Sequence, residues 1–134
     1  MNEGIVPGGG VTLVNLSSDI KSLKDETENA GAQLLARALQ QPFRILMENS
    51  GLNADEWLPQ VKAAKPGQGV NVNSPDKLVD MKKAGVVDPV LVTKQAVQNA
   101  SSIAGTSMTM GALVVDVPEK EESTPSAPQM GLGM

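Results

Sequence analysis

TENAGAQLLARALQQPFRILMEN, residues 27–49, is the longest stretch with a helical signature in this chain of 134 residues. Leu34, Leu35, Ala38, Leu39, Ile45 and Leu46 recur at intervals of three and four, which lines them along one side of a helix, and Ser50-Gly51 closes the run. Pro42 lies inside it. Proline removes one backbone hydrogen bond and clashes with the preceding turn, so the spacing predicts a kink, or a division into two helices, near Gln41. The strongest periodic signal in the chain is therefore helical.

Toward the amino terminus, residues 1–10 hold Gly4, Pro7 and the run Gly8-Gly9-Gly10, and an apolar stripe of Val11, Leu13, Val14 and Leu16 follows. This reads as a loop feeding a short helix that runs to about Leu23. Toward the carboxy terminus, Asn53-Ala54-Asp55-Glu56 is a capping-box pattern opening a helix that carries Trp57, Leu58 and Val61 and ends before Pro66-Gly67. In GQGVNVN, residues 67–73, Val alternates with Asn beside glycines, which predicts a small β-excursion. Ser74-Pro75 reads as the start of another short helix, closed by Lys82, Lys83 and Gly85. Asp88-Pro89 repeats that signature and opens a helix to about Gly105, with Leu91, Ala96, Val97, Ala100, Ile103 and Ala104 as its buried side. ALVVDV, residues 112–117, is short, β-branched and stopped by Pro118, so it reads as one strand needing a partner from this chain or another. The fold class is mainly α, a helical bundle with a small β-excursion and one C-terminal strand.

A mass of 13.9 kDa allows one core, and 40% hydrophobic against 19% charged residues suits a packed globule. Phe43 and Trp57 are the only aromatics, so that core is built from Leu, Val, Ile, Ala and Met. The absence of Cys and His excludes disulfides, thiolate nucleophiles, Cys/His zinc sites, Ser-His-Asp triads and histidine bases. With no Tyr and with 15 acidic against 11 basic residues, the chain offers neither stacking platforms nor a basic footprint for nucleic acid. The start is acidic and lacks an apolar h-region, and no run approaches the ~18 apolar residues of a membrane span. A cytoplasmic protein without membrane contact is the expectation.

Of the net charge of -4, the residues after Val115 hold most, with Asp116, Glu119, Glu121 and Glu122 against Lys120. EKEESTPSAPQMGLGM, residues 119–134, is polar and proline-interrupted and buries too little apolar area to offset its ordering entropy. Residues 1–118 are read as the folded part and 119–134 as a disordered tail with a Met/Gly ending.

Four motifs, in this order, carry a resemblance. They are Glu3-Gly4-Ile5-Val6-Pro7-Gly8-Gly9-Gly10-Val11, Gly85-Val86-Val87-Asp88-Pro89, Ser102-Ile103-Ala104-Gly105 and Asp116-Val117-Pro118. Together they resemble the carboxy-terminal part of the equatorial domain of group I chaperonins of the GroEL type. The match is collinear over nearly the whole chain, with one apparent extra residue around 73–77. The resemblance implies that residues 1–118 are a partial equatorial domain, the ATP-binding and ring-contact domain, whose natural packing partner is the amino-terminal equatorial segment.

By the resemblance, Gly9 contacts ATP through its backbone, Asp88 accepts hydrogen bonds from a ribose hydroxyl, and Asn71, Val72 and Asn73 hold the adenine base. Each also has a plain structural reading. Three glycines before a helix serve as a flexible loop, Asp before Pro is a preferred helix start, and Asn-rich segments make polar turns. Val72 and Asn73 depart from the family's usual small residues. The phosphate loop, the metal site and the water-activating Asp belong to family segments that match nothing in this sequence, so neither catalytic nor metal-binding residues are assigned here. Glu3 reads as a solvated helix-end residue. Arg44 matches a position at the contact between rings, where the acidic partner expected near Asn53 is an amide, and Thr109-Met110-Gly111 replaces the family's Thr-Thr-Glu.

The resemblance implies a fragment of an ATP-dependent folding chaperonin that contributes adenine, ribose and inter-subunit contacts, with no ATPase activity alone. ATP is its implied ligand, weakly held or absent in the isolated chain, with magnesium bound by the missing segment. Partners are other chaperonin subunits or further copies of the chain. Unfolded clients and the co-chaperonin are reached only through other domains. The alternative is a non-catalytic helical interaction or assembly module that has lost nucleotide function.

Overall fold

The computed structural model describes residues 3–20 and 25–115. In chain order its elements are β1 (Ile5–Pro7), α1 (Val11–Asp19), α2 (Glu26–Ala38), α3 (Gln41–Asn49), α4 (Ala54–Ala63), β2 (Gln68–Val70), β3 (Leu78–Asp80), β4 (Val87–Pro89) and α5 (Val90–Ser107). The mainly helical class expected from the sequence is what forms, with two small antiparallel sheets beside the helices.

Pro42 divides the central helical run where its chemistry requires. α2 stops at Leu39, and Pro42 takes a first-turn position of α3, where its missing N–H belongs to a group with no partner inside the helix. Asp25 starts α2 by accepting the Thr27 and Glu28 amides at 2.9 and 3.0 Å. Asn53 starts α4 through its side-chain oxygen, which accepts from the Asp55 N–H at 3.0 Å. The turn between α2 and α3 rotates the two halves of the apolar stripe apart. Phe43 and Met47 of α3 point inward and are fully buried, whereas Leu34 and Leu35 of α2 remain 63% and 42% exposed.

One sheet joins residues far apart in the chain and the other is a hairpin. β1 pairs with β4, placing Val6 opposite Asp88, in a segment whose glycines and proline read as loop. β2 pairs with β3, placing Gly69 opposite Val79. The helix expected from Ser74-Pro75 is thus a correction: residues 71–77 turn and Leu78–Asp80 form a strand. An Asx turn makes the reversal, with Asn71 Oδ1 accepting from the Asn73 N–H at 3.1 Å and the Asn71 carbonyl accepting from Ser74 N–H at 2.9 Å. Ladder bonds to β2, together with burial of Leu78 and Val79 against the core, outweigh a favourable helix cap.

The core joins Val11 and Val14 of α1, Phe43 and Met47 of α3, Ala54, Leu58 and Val61 of α4, Val70 of β2 and Met81. α5 stands outside it. None of its residues is buried, and Leu91 and Ile103, expected inside, are 44% and 67% exposed. Between α5 and α2 lies a cavity of about 490 Å³ lined by Leu34, Leu35, Ala38, Ala96, Val97 and Ala100, among others. The apolar faces read from the sequence are real, but they front this gap instead of one another. The strand expected over 112–117 does not form in residues 112–115, where Leu113, Val114 and Val115 are 75%, 94% and 68% exposed. A strand needs ladder bonds, and no segment described here supplies them. Residues 116 and 117, the helix end at 21–24 and the tail at 119–134 lie outside the described residues.

Candidate functional site

The glycine run is a formed turn. Gly9 and Gly10 have φ of 68° and 75°, a left-handed conformation natural to glycine. The Gly8 N–H donates to the Val86 carbonyl at 2.9 Å, and Thr12 Oγ1 donates back to the Pro7 carbonyl at 2.7 Å. Each glycine also meets a neighbour closely. A Cβ on Gly8 would stand 3.1 Å from Val87 N and 3.2 Å from Asp88 Oδ1, and one on Gly10 would stand 2.9 Å from the Phe43 Cα. Packing alone therefore accounts for glycine at positions 8 and 10. Gly9, half-buried between them, meets only side-chain atoms, with Met81 Cε nearest at 3.0 Å.

Asp88 is not the helix cap that its sequence context suggests. The β1–β4 ladder carries extended backbone through Pro89, whose φ and ψ are -66° and 130°, so α5 begins at Val90 with no side-chain cap. The Val90 N–H is satisfied by the Gly4 carbonyl at 3.1 Å. Asp88 sits half-buried in β4 with Oδ1 against Gly8. Among the described residues its carboxylate makes no hydrogen bond or ion pair, so both oxygens are available to a hydroxyl donor.

Asn71, Val72 and Asn73 occupy the tip that follows β2. The Asn71 side-chain oxygen is engaged in the Asx turn, which leaves its NH₂ group as donor; Val72 packs partly against the core; Asn73 is exposed. The structure thus brings Gly8 directly against Asp88, with Gly9 next along the turn. The hairpin joins them through Met81, whose side chain contacts both the Gly9 and the Gly69 positions. Val86 and Met81 were not singled out in the sequence. The signal for Met81 was a lone apolar residue between Asp80 and Lys82-Lys83, which a short amphipathic helix explained equally well.

Among the described residues two ion pairs form. Arg44 Nη1 meets Asp55 Oδ1 at 2.6 Å, so the acidic partner of Arg44 lies two residues beyond the amide at Asn53. Glu3 precedes β1, and its carboxylate lies 3.5 Å from Lys94 Nζ on α5, which corrects the helix-end reading. A second cavity of about 340 Å³ opens between β1, α1 and the base of the hairpin, bordered by Thr12, Asn15, Asp19, Asp80 and Lys82. Among the described residues no three acidic side chains gather where they could hold a metal ion, and no helix is long and apolar enough to cross a membrane.

Residues 1–118 match the TCP-1/cpn60 chaperonin family. The chain belongs to that family. Two solved chaperonin structures superpose on it. A group III chaperonin in the open state gives a TM-score of 0.74 at 33% identity over 83% of this chain. An open-state monomer of a group II chaperonin from Methanococcoides burtonii gives 0.73 at 25% identity over 79% of it. The aligned part is 24% and 28% of those two chains, so this chaperonin chain spans about a quarter of their length.

Proposed function

We propose that the chain is the carboxy-terminal part of the equatorial domain of an ATP-driven folding chaperonin, and that it meets the adenine and ribose of ATP. The observation that carries this reading is the contact between the glycine turn and Asp88, a half-buried carboxylate with no partner of its own among the described residues. Asp88 would take the ribose hydroxyls as donors. Gly9, lacking a Cβ, lets backbone approach the nucleotide, and the tip of Asn71, Val72 and Asn73 would lie along the base. The assignment to group I rests on the motifs of the sequence, since the two structures above are of groups II and III. A cytoplasmic location and a role within a ring of like subunits belong to the same reading.

Adenine and ribose contacts position a nucleotide, whereas hydrolysis needs metal and charge at the phosphates. The isolated chain is therefore expected to bind ADP in the millimolar range, roughly 4 kcal/mol or less, and not to turn over ATP. Amide shifts in a titration with ADP, lost in Asp88→Ala, would support the site. Magnesium-dependent turnover that is unaffected by Asp88→Ala would refute it.

A second reading, an interaction or assembly module, is favoured by α5, which has no buried residue and borders the apolar cavity beside α2. An apolar surface of this kind promotes association. Native mass spectrometry over a concentration series is expected to show dimers or mixed oligomers and no double ring. A stable monomer at high micromolar concentration, with no binding of a dye for apolar surface, would show that the face is covered.

A further inference from the structure

Gly9 and Gly69, far apart in sequence, share one neighbour. A Cβ on Gly9 would stand 3.0 Å from Met81 Cε, and one on Gly69 would stand 3.1 Å from both Cγ and Sδ of the same side chain. Met81 is 1% exposed and directly follows β3. Its backbone is held on both sides: its N–H donates to the Gly67 carbonyl at 3.0 Å, and its carbonyl accepts from the Val86 N–H at 2.9 Å. Val86 in turn accepts the Gly8 N–H. The backbone thus fixes where Met81 begins, and its side chain fills the gap between the glycine turn and the hairpin. An unbranched thioether suits such a gap, because it bends at three torsions and brings no branch into either backbone.

We infer that Met81 is a positioning residue for the nucleotide, the spacer that sets the separation between the Gly8–Gly10 turn and the hairpin tip of Asn71, Val72 and Asn73. This rests on the nucleotide reading above and deepens it. The two sides of the site have different supports. Asp88 is placed by its strand pairing opposite Val6, independently of Met81, whereas the hairpin meets the glycine segment through side chains, with Met81 between Gly69 and Gly9, Val11 Cγ2 closing on Gly69 and Pro7 facing Gly67. A change in that side chain moves the adenine side relative to the ribose side without breaking a backbone bond.

Met81→Leu keeps the volume, withdraws Cε and adds a branch, a class of core substitution that folds tolerate well. With the full chain labelled for amide detection, ADP is expected to shift Gly8–Gly10 and residues 71–73 in the wild type. In Met81→Leu the dissociation constant rises about tenfold and the shifts at residues 71–73 shrink, while the melting temperature stays close to wild type. Gly9→Ala, which pushes a methyl toward Cε, also weakens ADP binding, and combined with Met81→Leu it costs less than the two alone would sum to. The cycle cancels the backbone strain of alanine at Gly9, which is present in both backgrounds. Unchanged ADP affinity in Met81→Leu, or strict additivity with Gly9→Ala, overturns the spacer role and leaves the nucleotide site standing. A wild type whose amides ADP does not shift overturns both.

Discussion

Phe43→Ala is expected to lower the stability of the chain by about 3–5 kcal/mol. Phe43 is the largest fully buried side chain, and in a core otherwise made of Val, Met, Leu and Ala it is the only ring. Truncation removes the apolar transfer energy of that ring and leaves a cavity. The surroundings have little freedom to fill it, because the neighbouring glycine turn is pinned by the Gly8 N–H to Val86 and by Thr12 to Pro7. Against a total of about 5–15 kcal/mol for an ordinary domain, such a loss removes a large share of the stability. Urea titration followed by far-ultraviolet circular dichroism measures it. A loss below about 1 kcal/mol would mean that the helices close over the site, contrary to the tight contacts seen around it.

What the sequence made legible follows from how local each cause is. The break between α2 and α3 could be read because proline acts on its own turn. The capping of α4 by Asn53 could be read because the bond spans two residues. The hairpin could not, since Ser74-Pro75 is a sound local helix start and only pairing with β2, several residues away, decides against it. β1 was hidden for the same reason: it is three residues long and gains strand geometry only from β4, on the far side of the chain. The face of α5 was recognisable as apolar, but periodicity says which side seeks burial and not what lies opposite.

The candidate site divides along the same line. Residue type marked Gly9 and Asp88, and family resemblance gave them roles. Their juxtaposition required the β1–β4 register, which also took Asp88 out of the capping position that its neighbour Pro89 suggests. Asn71, Val72 and Asn73 fall on a turn, as the plain reading held. Met81 showed only as a lone apolar residue among charged ones, because its importance lies in two glycines that come near it only in three dimensions.

Gly10→Ala is expected to cost about 2–5 kcal/mol, the sum of a left-handed backbone that a side chain disfavours and an overpacked contact. The φ of Gly10 is 75°, and an added Cβ would stand 2.9 Å from Cα, 3.0 Å from N and 3.1 Å from Cβ of Phe43. Two of those three atoms are backbone of α3, and the third survives in alanine. Phe43→Ala therefore gives the methyl no room, and the double variant should be at least as unstable as either single one. Gly51 isolates the conformational share of the cost. Its φ is 73°, yet nothing lies within 4 Å of where its Cβ would be, so Gly51→Ala should lose only about 1–2 kcal/mol. The difference between the two alanine variants in urea titrations is then the cost of separating the glycine turn from α3. Equal losses at the two positions would show that the turn yields freely, and that its close approach to Phe43 does not hold the loop beside Asp88.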